Sequence, residues 1–214
     1  MNKAGSLVTA VCKLLIVFCA ALLMGFGISM YYVSGLGSDP ISTFLEALAT
    51  LFGLQSGTMS ILMNLLVVAI FLFFKRKLIH VGTFLQTFFV GTGINLGMMF
   101  WHSVWSSQQL WANLLLSVVG AVLIGVSLAL YLPCNMGASP TDILVLSVCG
   151  LIKKSYKWGF YTIYAISLTL GILLGGVWGA GTLISLVLTG WVADSLIPRT
   201  GKLFAQWFGE EVTA

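Results

Sequence analysis

Charge is what this 214-residue chain has least of. Ten Lys and Arg with six Asp and Glu make up 7% of the sequence, where a soluble domain carries about 25%. That shortage excludes a soluble fold. Histidine is nearly absent, and His80 and His102 sit near the ends of apolar runs, where they face the membrane interface. The four cysteines (Cys12, Cys19, Cys134, Cys149) form no CxxC pair and adjoin no histidine, which removes zinc and disulfide scaffolds and leaves them as small packing residues. No metal and no cofactor are expected, and no Ser–His or metal constellation points to an enzyme.

Long apolar runs are present in their place. With 59% hydrophobic residues and a mean hydropathy of +1.05, the runs must face lipid or one another. Without water in the bilayer core, spans are helices or closed barrels. These runs do not alternate as barrel strands do over about 10 residues. They last about 20, the length of a crossing helix, so the expected fold is all-α. Six long segments are expected at about 11–33, 57–74, 80–100, 111–132, 158–176 and 178–197, in one transmembrane domain covering 1–214. Two shorter ones lie at about 40–52 and 140–152. Each of these is about 13 residues, or about 20 Å of helix, too short for a hydrocarbon core of about 30 Å. They are read as broken or re-entrant helices. Lys3 and Lys13 ahead of the first run also resemble a removable leader. The run continues to Val33, however, and its counterpart recurs at 111–132, so it is read as a retained span.

Basic residues set the orientation. If the six long segments cross and the N-terminus is cytoplasmic, Lys3, Lys13, Lys75, Arg76, Lys77, Lys153, Lys154, Lys157, Arg199 and Lys202 all fall inside. If the short segments cross too, three move outside. The positive-inside rule favours six spans with both termini cytoplasmic, ending in a cytoplasmic tail at 198–214. The net charge of +4 is this bias and calls for no nucleic acid.

The chain also repeats. Gly37-Ser38-Asp39-Pro40-Ile41 returns as Gly137-Ala138-Ser139-Pro140-Thr141, with Gly25/Gly125 and Tyr31/Tyr131 at the same offset of 100. Gly82-Thr83/Gly181-Thr182, Gly91/Gly190 and Asn95/Asp194 follow at 99. Repeat A covers about 11–100 and repeat B about 111–197. Three crossings per half mean that the halves are inverted.

In each half the first span ends in glycine and a proline starts a short helix. Asp39 is the expected N-cap before Pro40. Ser139 caps before Pro140, with Asp142 closing a Ser-x-x-Asp capping box. The plain reading is ordinary capping at the membrane surface. The functional reading is a polar-ligand site at broken backbone, assembled from Gly37, Ser38, Asp39, Pro40, Ser42 and Glu46 with Gly137, Ser139, Pro140, Thr141 and Asp142. Ser42, Thr43, Glu46 and Thr50 share one face of the first short helix. Only six acids exist, and Glu210 and Glu211 belong to the tail. Intramembrane acids are functional candidates by default. Asp194, with its repeat mate Asn95, is assigned to coupling or gating, or else to a cap or an ion pair with Arg199. Thr83, Gln86, Thr87, Thr182 and Ser185 are read as interhelical hydrogen bonders. Gly25, Gly27, Gly91, Gly125 and Gly190 are read as close-packing positions.

The segment Gly35–Pro40, the Gly82-Thr83 opening of the third span and their echoes resemble the YczE/YyaS/YitT group of bacterial integral membrane proteins over about 11–197. The resemblance implies a multi-pass protein of the bacterial cytoplasmic membrane and implies no substrate. The residues themselves favour a transporter or channel for a small polar solute, cationic, zwitterionic or proton-coupled, with its site between the two Pro-started helices. The alternatives are a non-transporting scaffold or accessory protein and, third, an intramembrane hydrolase, since Gly35–Asp39 comes within one residue of a GxGD pattern. The lipid bilayer and the solute are the expected partners, and a homo-oligomer is compatible with the sequence.

Overall fold

The computed structural model describes residues 3–74, 76–106, 109–153 and 156–208; Lys75, Lys154, Glu210 and Glu211 of the charge pattern lie outside the described residues. Every regular element among the described residues is helical. They are α1 (Lys3–Ser34), α2 (Pro40–Phe52), α3 (Ser56–Phe74), α4 (Val81–Val104), α5 (Leu110–Tyr131), α6 (Pro140–Ile152), α7 (Tyr156–Leu173), the short α8 (Ala180–Ile184) and α9 (Gly190–Phe208). A π turn, Ser185–Thr189, joins the last two.

Among the described residues, four stretches are long and apolar enough to cross a membrane: Leu7–Ser34, Ser56–Phe74, Leu110–Cys134 and Ala180–Phe208. The other two expected spans fall short for different reasons. Helix α4 has the length, but Thr83, Gln86, Thr87, Thr92 and Asn95 with four interspersed glycines dilute its apolarity. Helix α7, Tyr156–Leu173, has 18 residues, at the lower end of the crossing range. The two short helices occupy the expected ranges. α9 runs on through Pro198 to Phe208, so the first part of the expected tail extends the last helix.

The antiparallel pair α1–α5 forms the centre. Ser117 Oγ donates to Ser34 Oγ at 3.0 Å, and Ser127 Oγ donates to the Ala20 carbonyl. Tyr131 and Cys134 pack beside Val17 and Ala20. The end of α1 therefore lies level with the start of α5, and the end of α5 level with the early turns of α1. The breaks that follow them, 35–39 and 135–139, sit at opposite ends of this pair. Helix α4 packs on α1, and α9 packs on α5. Without a hydrophobic force between helices in lipid, close backbone approach drives this packing. A Cβ on Gly25 would lie 2.7 Å from the Ile94 nitrogen, and one on Gly27 would lie 3.0 Å from the Gly120 carbonyl.

The short helices form the other layer. Helix α2 packs on α3 and α7, and α6 packs on α7 and α3. Each therefore touches the second long helix of its own half and that of the other half.

Candidate functional site

The first break is built by its caps. Asp39 Oδ1 accepts from the Ile41 and Ser42 amides, each at 3.2 Å, and Pro40 opens α2, which ends on Gly53 at φ 65°. Carboxylate, fixed proline φ and left-handed glycine are the local instructions that make 40–52 one isolated short helix. Ser38 is fully buried, and its hydroxyl lies 3.1 Å from that of Thr43, which donates to the Ser38 carbonyl. The Tyr32 hydroxyl donates to the Ser42 carbonyl at 3.1 Å. Glu46 is half-buried, one turn beyond Ser42. Gly37, Ser38, Asp39, Pro40, Ser42 and Glu46 thus come together, with Tyr32 and Thr43 added.

The second break carries the expected capping box. Ser139 Oγ accepts from the Asp142 amide at 3.1 Å, and Asp142 Oδ2 accepts from the Ser139 amide and hydroxyl. Tyr131 donates to the same carboxylate oxygen at 3.0 Å. Pro140 is buried, while Thr141 is half-buried.

The two breaks are locked by the same device, each from the other half. At the first, the Gly181 amide donates to the Leu36 carbonyl at 2.8 Å. A Cβ on Gly37 (φ 88°) would fall 2.6 Å from Thr182 Oγ1. At the second, the Gly82 amide donates to the Met136 carbonyl at 3.0 Å. A Cβ on Gly137 (φ 117°) would fall 2.8 Å from Thr83 Oγ1. Thr83 Oγ1 also donates to the Ala138 carbonyl at 2.7 Å. In both helix starts the threonine hydroxyl accepts from a backbone amide at 3.3 Å, that of His80 or of Gly179. The Gly-Thr pairs that echo at offset 99 are therefore clamps on the Gly-x-x-Pro breaks that echo at offset 100. Only glycine combines a positive φ with so close a neighbour.

The breaks are not brought to one another, since α2 and α6 are bridged by α3 and α7. Asn95 and Asp194 also differ in setting. Asn95 Oδ1 accepts from the Gly57 amide at 3.0 Å, and its Nδ2 donates to Thr58 Oγ1 at 3.1 Å, tying α4 to α3. Asp194 is exposed on α9 and makes no ion pair with Arg199 among the described residues. Of the expected interhelical bonders, Thr83 serves as one. Thr87 and Ser185 bond to carbonyls of their own helix, at Thr83 and Thr182. Gln86 is buried with neither amide atom bonded. Gly190, expected to pack closely, faces open space, whereas Gly91 meets Gly57 and Ile61. Among the described residues no three of His, Cys, Asp and Glu come together to hold a metal.

Sequence reasoning missed Tyr32 and Tyr131 as parts of the site. The Tyr31/Tyr131 echo signalled that this helix end mattered, though not the role of the hydroxyl. Lys13, expected among the cytoplasmic charges ahead of the first run, is only 7% exposed and lies over the Phe208 ring, 5.5 Å from its centroid.

A profile for a family of unknown function, DUF6198, matches residues 11–198. The chain is 30% identical over 184 residues to the uncharacterized protein YyaS of Bacillus subtilis strain 168, covering 86% of this chain and 91% of that one. It is 29% identical over 182 residues to an uncharacterized Haemophilus influenzae protein, covering 85% and 82%. It is 25% identical over 188 residues to the uncharacterized membrane protein YczE of B. subtilis, covering 87% and 86%. No solved structure matches.

Proposed function

The chain belongs to the DUF6198 family, relatives of YyaS and YczE, and from that premise we propose that it is a transporter or channel for a small polar solute in the bacterial cytoplasmic membrane. In this reading six spans form two inverted halves, both termini are cytoplasmic, and the protein is not an enzyme. The reciprocal clamping of the two breaks carries the proposal: Gly181 and Thr182 on the first, Gly82 and Thr83 on the second. Inverted-repeat carriers place discontinuous helices of this kind at the solute site, and broken backbone at membrane depth is tolerated where protein or water satisfies it.

The path follows the seam between α2, α3, α6 and α7. Glu46 and Asp39 with the Tyr32 hydroxyl supply negative charge and a hydrogen-bonding group, which suits a cationic or zwitterionic solute or a proton. At the second break Ser139, Thr141 and Asp142 take the corresponding place. Asp142 is already engaged by Tyr131 and Ser139, so solute choice rests more heavily on the first half. Asn95 and Asp194 govern opening and closing.

The test is uptake or efflux in a strain lacking the protein. Wild type restores the flux. Glu46→Gln and Asp39→Asn, expressed at equal levels, reduce it by about tenfold or more, the effect of losing a charge-assisted contact of about 1.5–3 kcal/mol. Full activity in both variants removes the carboxylates from the mechanism. Co-purification of a stable partner, with no solute-dependent thermal shift, favours the scaffold reading.

A further inference from the structure

The two halves share their breaks but differ in one packing. In the first half the start of α3 is docked on α4: Gly57 and Thr58 bond to Asn95, and Gly91 lies against Gly57 and Ile61. The equivalent face of α9 is open. A Cβ on Gly190, the mate of Gly91, meets nothing within 4 Å. Asp194, the mate of Asn95, is exposed, as are Val187 and Trp191 on the same helix. Helix α7, the counterpart of α3, packs on α2 and α6 as α3 does, but among the described residues it has no packing on α9 to match that of α3 on α4. The backbone differs as well. The π turn Ser185–Thr189 falls just before Gly190, while α4 is regular throughout. Single π turns concentrate at functional sites, because they allow a helix to shift its register.

We propose that this is one end state of an exchange in which α7 docks on the Gly190/Asp194 face of α9 as α3 undocks from α4, with Asn95 and Asp194 as the two latches. The inference rests on the inverted-halves reading above and specifies which contacts alternate. An uncovered acid on a lipid-exposed helix is costly, and the first half shows what fills the counterpart of this face: the second long helix of the same half. The latches are chemically unequal. Docking α7 would bury Asp194, and burying a carboxylate costs more than burying a neutral amide such as that of Asn95. The second latch is therefore weaker than the first, and the resting state has α3 docked on α4 and α7 held on α2 and α6. Asp194→Asn removes that cost.

Cysteine pairs test this in vesicles, in a background with Cys12, Cys19, Cys134 and Cys149 replaced by Ala. Ile61→Cys with Phe88→Cys reports α3 on α4. The repeat-equivalent Tyr161→Cys with Val187→Cys reports α7 on α9. Both pairs are expected to form intramolecular cross-links. Asp194→Asn raises the α7–α9 yield and lowers the α3–α4 yield by about fivefold or more, because a neutral amide is less costly to bury than a carboxylate. An α7–α9 pair that stays unlinked in both backgrounds, or links only between two chains, overturns the exchange. Labelling of Leu36→Cys and Leu132→Cys in the same vesicles separates the two failures. Labelling from opposite sides with no α7–α9 link leaves the inverted halves standing and the exchange refuted. Labelling from one side refutes both.

Discussion

At the scale of residues, the breaks depend on two glycines that tolerate no side chain. Gly37→Ala and Gly137→Ala each place a methyl against a threonine hydroxyl of the other half, at a φ that L residues avoid. Each should cost about 1–3 kcal/mol and lower the thermal midpoint of the detergent-solubilised protein. Gly53→Ala, also at a positive φ (65°) but with nothing within 4 Å, should cost about 1 kcal/mol, the conformational part alone. Equal losses at all three would deny that the clamps are packed. Thr83→Val removes the bond to the Ala138 carbonyl and should cost about 0.6 kcal/mol, the mean for an interhelical bond in membranes. Thr87→Val, whose hydroxyl bonds within its own helix, should be nearly silent. These caps and turns were legible in the sequence because Gly, Pro, Asp and Ser act through their immediate neighbours. The burial of Lys13 and the placement of the Tyr32 hydroxyl were not legible, because both are set by helices distant in sequence.

At the scale of elements, the short helices owe their independence to caps and their position to the longer helices around them. Ser139→Ala removes the oxygen that accepts the Asp142 amide. It should destabilise α6 by about 1 kcal/mol, read as faster amide exchange over 140–146 than over 40–46. Equal exchange in the two helices would show that packing on α3 and α7, and not the cap, fixes the end. The lengths and starts of α2 and α6 followed from the Pro-led pattern. Their shared packing on α3 and α7 did not, because an apolar helix face does not name its partner. Helices α4 and α7 illustrate a further limit. Of the polar residues that lower the hydropathy of α4, Thr83 and Asn95 bond to other elements and Gln86 and Thr87 are buried, so weak apolarity there records interior contacts rather than exposure to water.

At the scale of the whole molecule, the offset of 100 in sequence becomes a set of exchanged contacts. Gly82 reaches Met136 as Gly181 reaches Leu36, and the breaks lie at opposite ends of α1–α5. The recurrence of the motifs was readable from the sequence. The crossing over, in which each half clamps the break of the other, required coordinates. So did the inequality between the filled face of α4 and the open face of α9, since Gly91/Gly190 and Asn95/Asp194 look like equivalent pairs in the sequence. The central claim is that one Gly-x-x-Pro break is offered from each side of the membrane. The most direct test is labelling of single cysteines at Leu36 and Leu132 by a membrane-impermeant maleimide in intact cells and in inverted vesicles. The account predicts that Leu36→Cys reacts only in cells and Leu132→Cys only in inverted vesicles; reaction of both from the same side would contradict it.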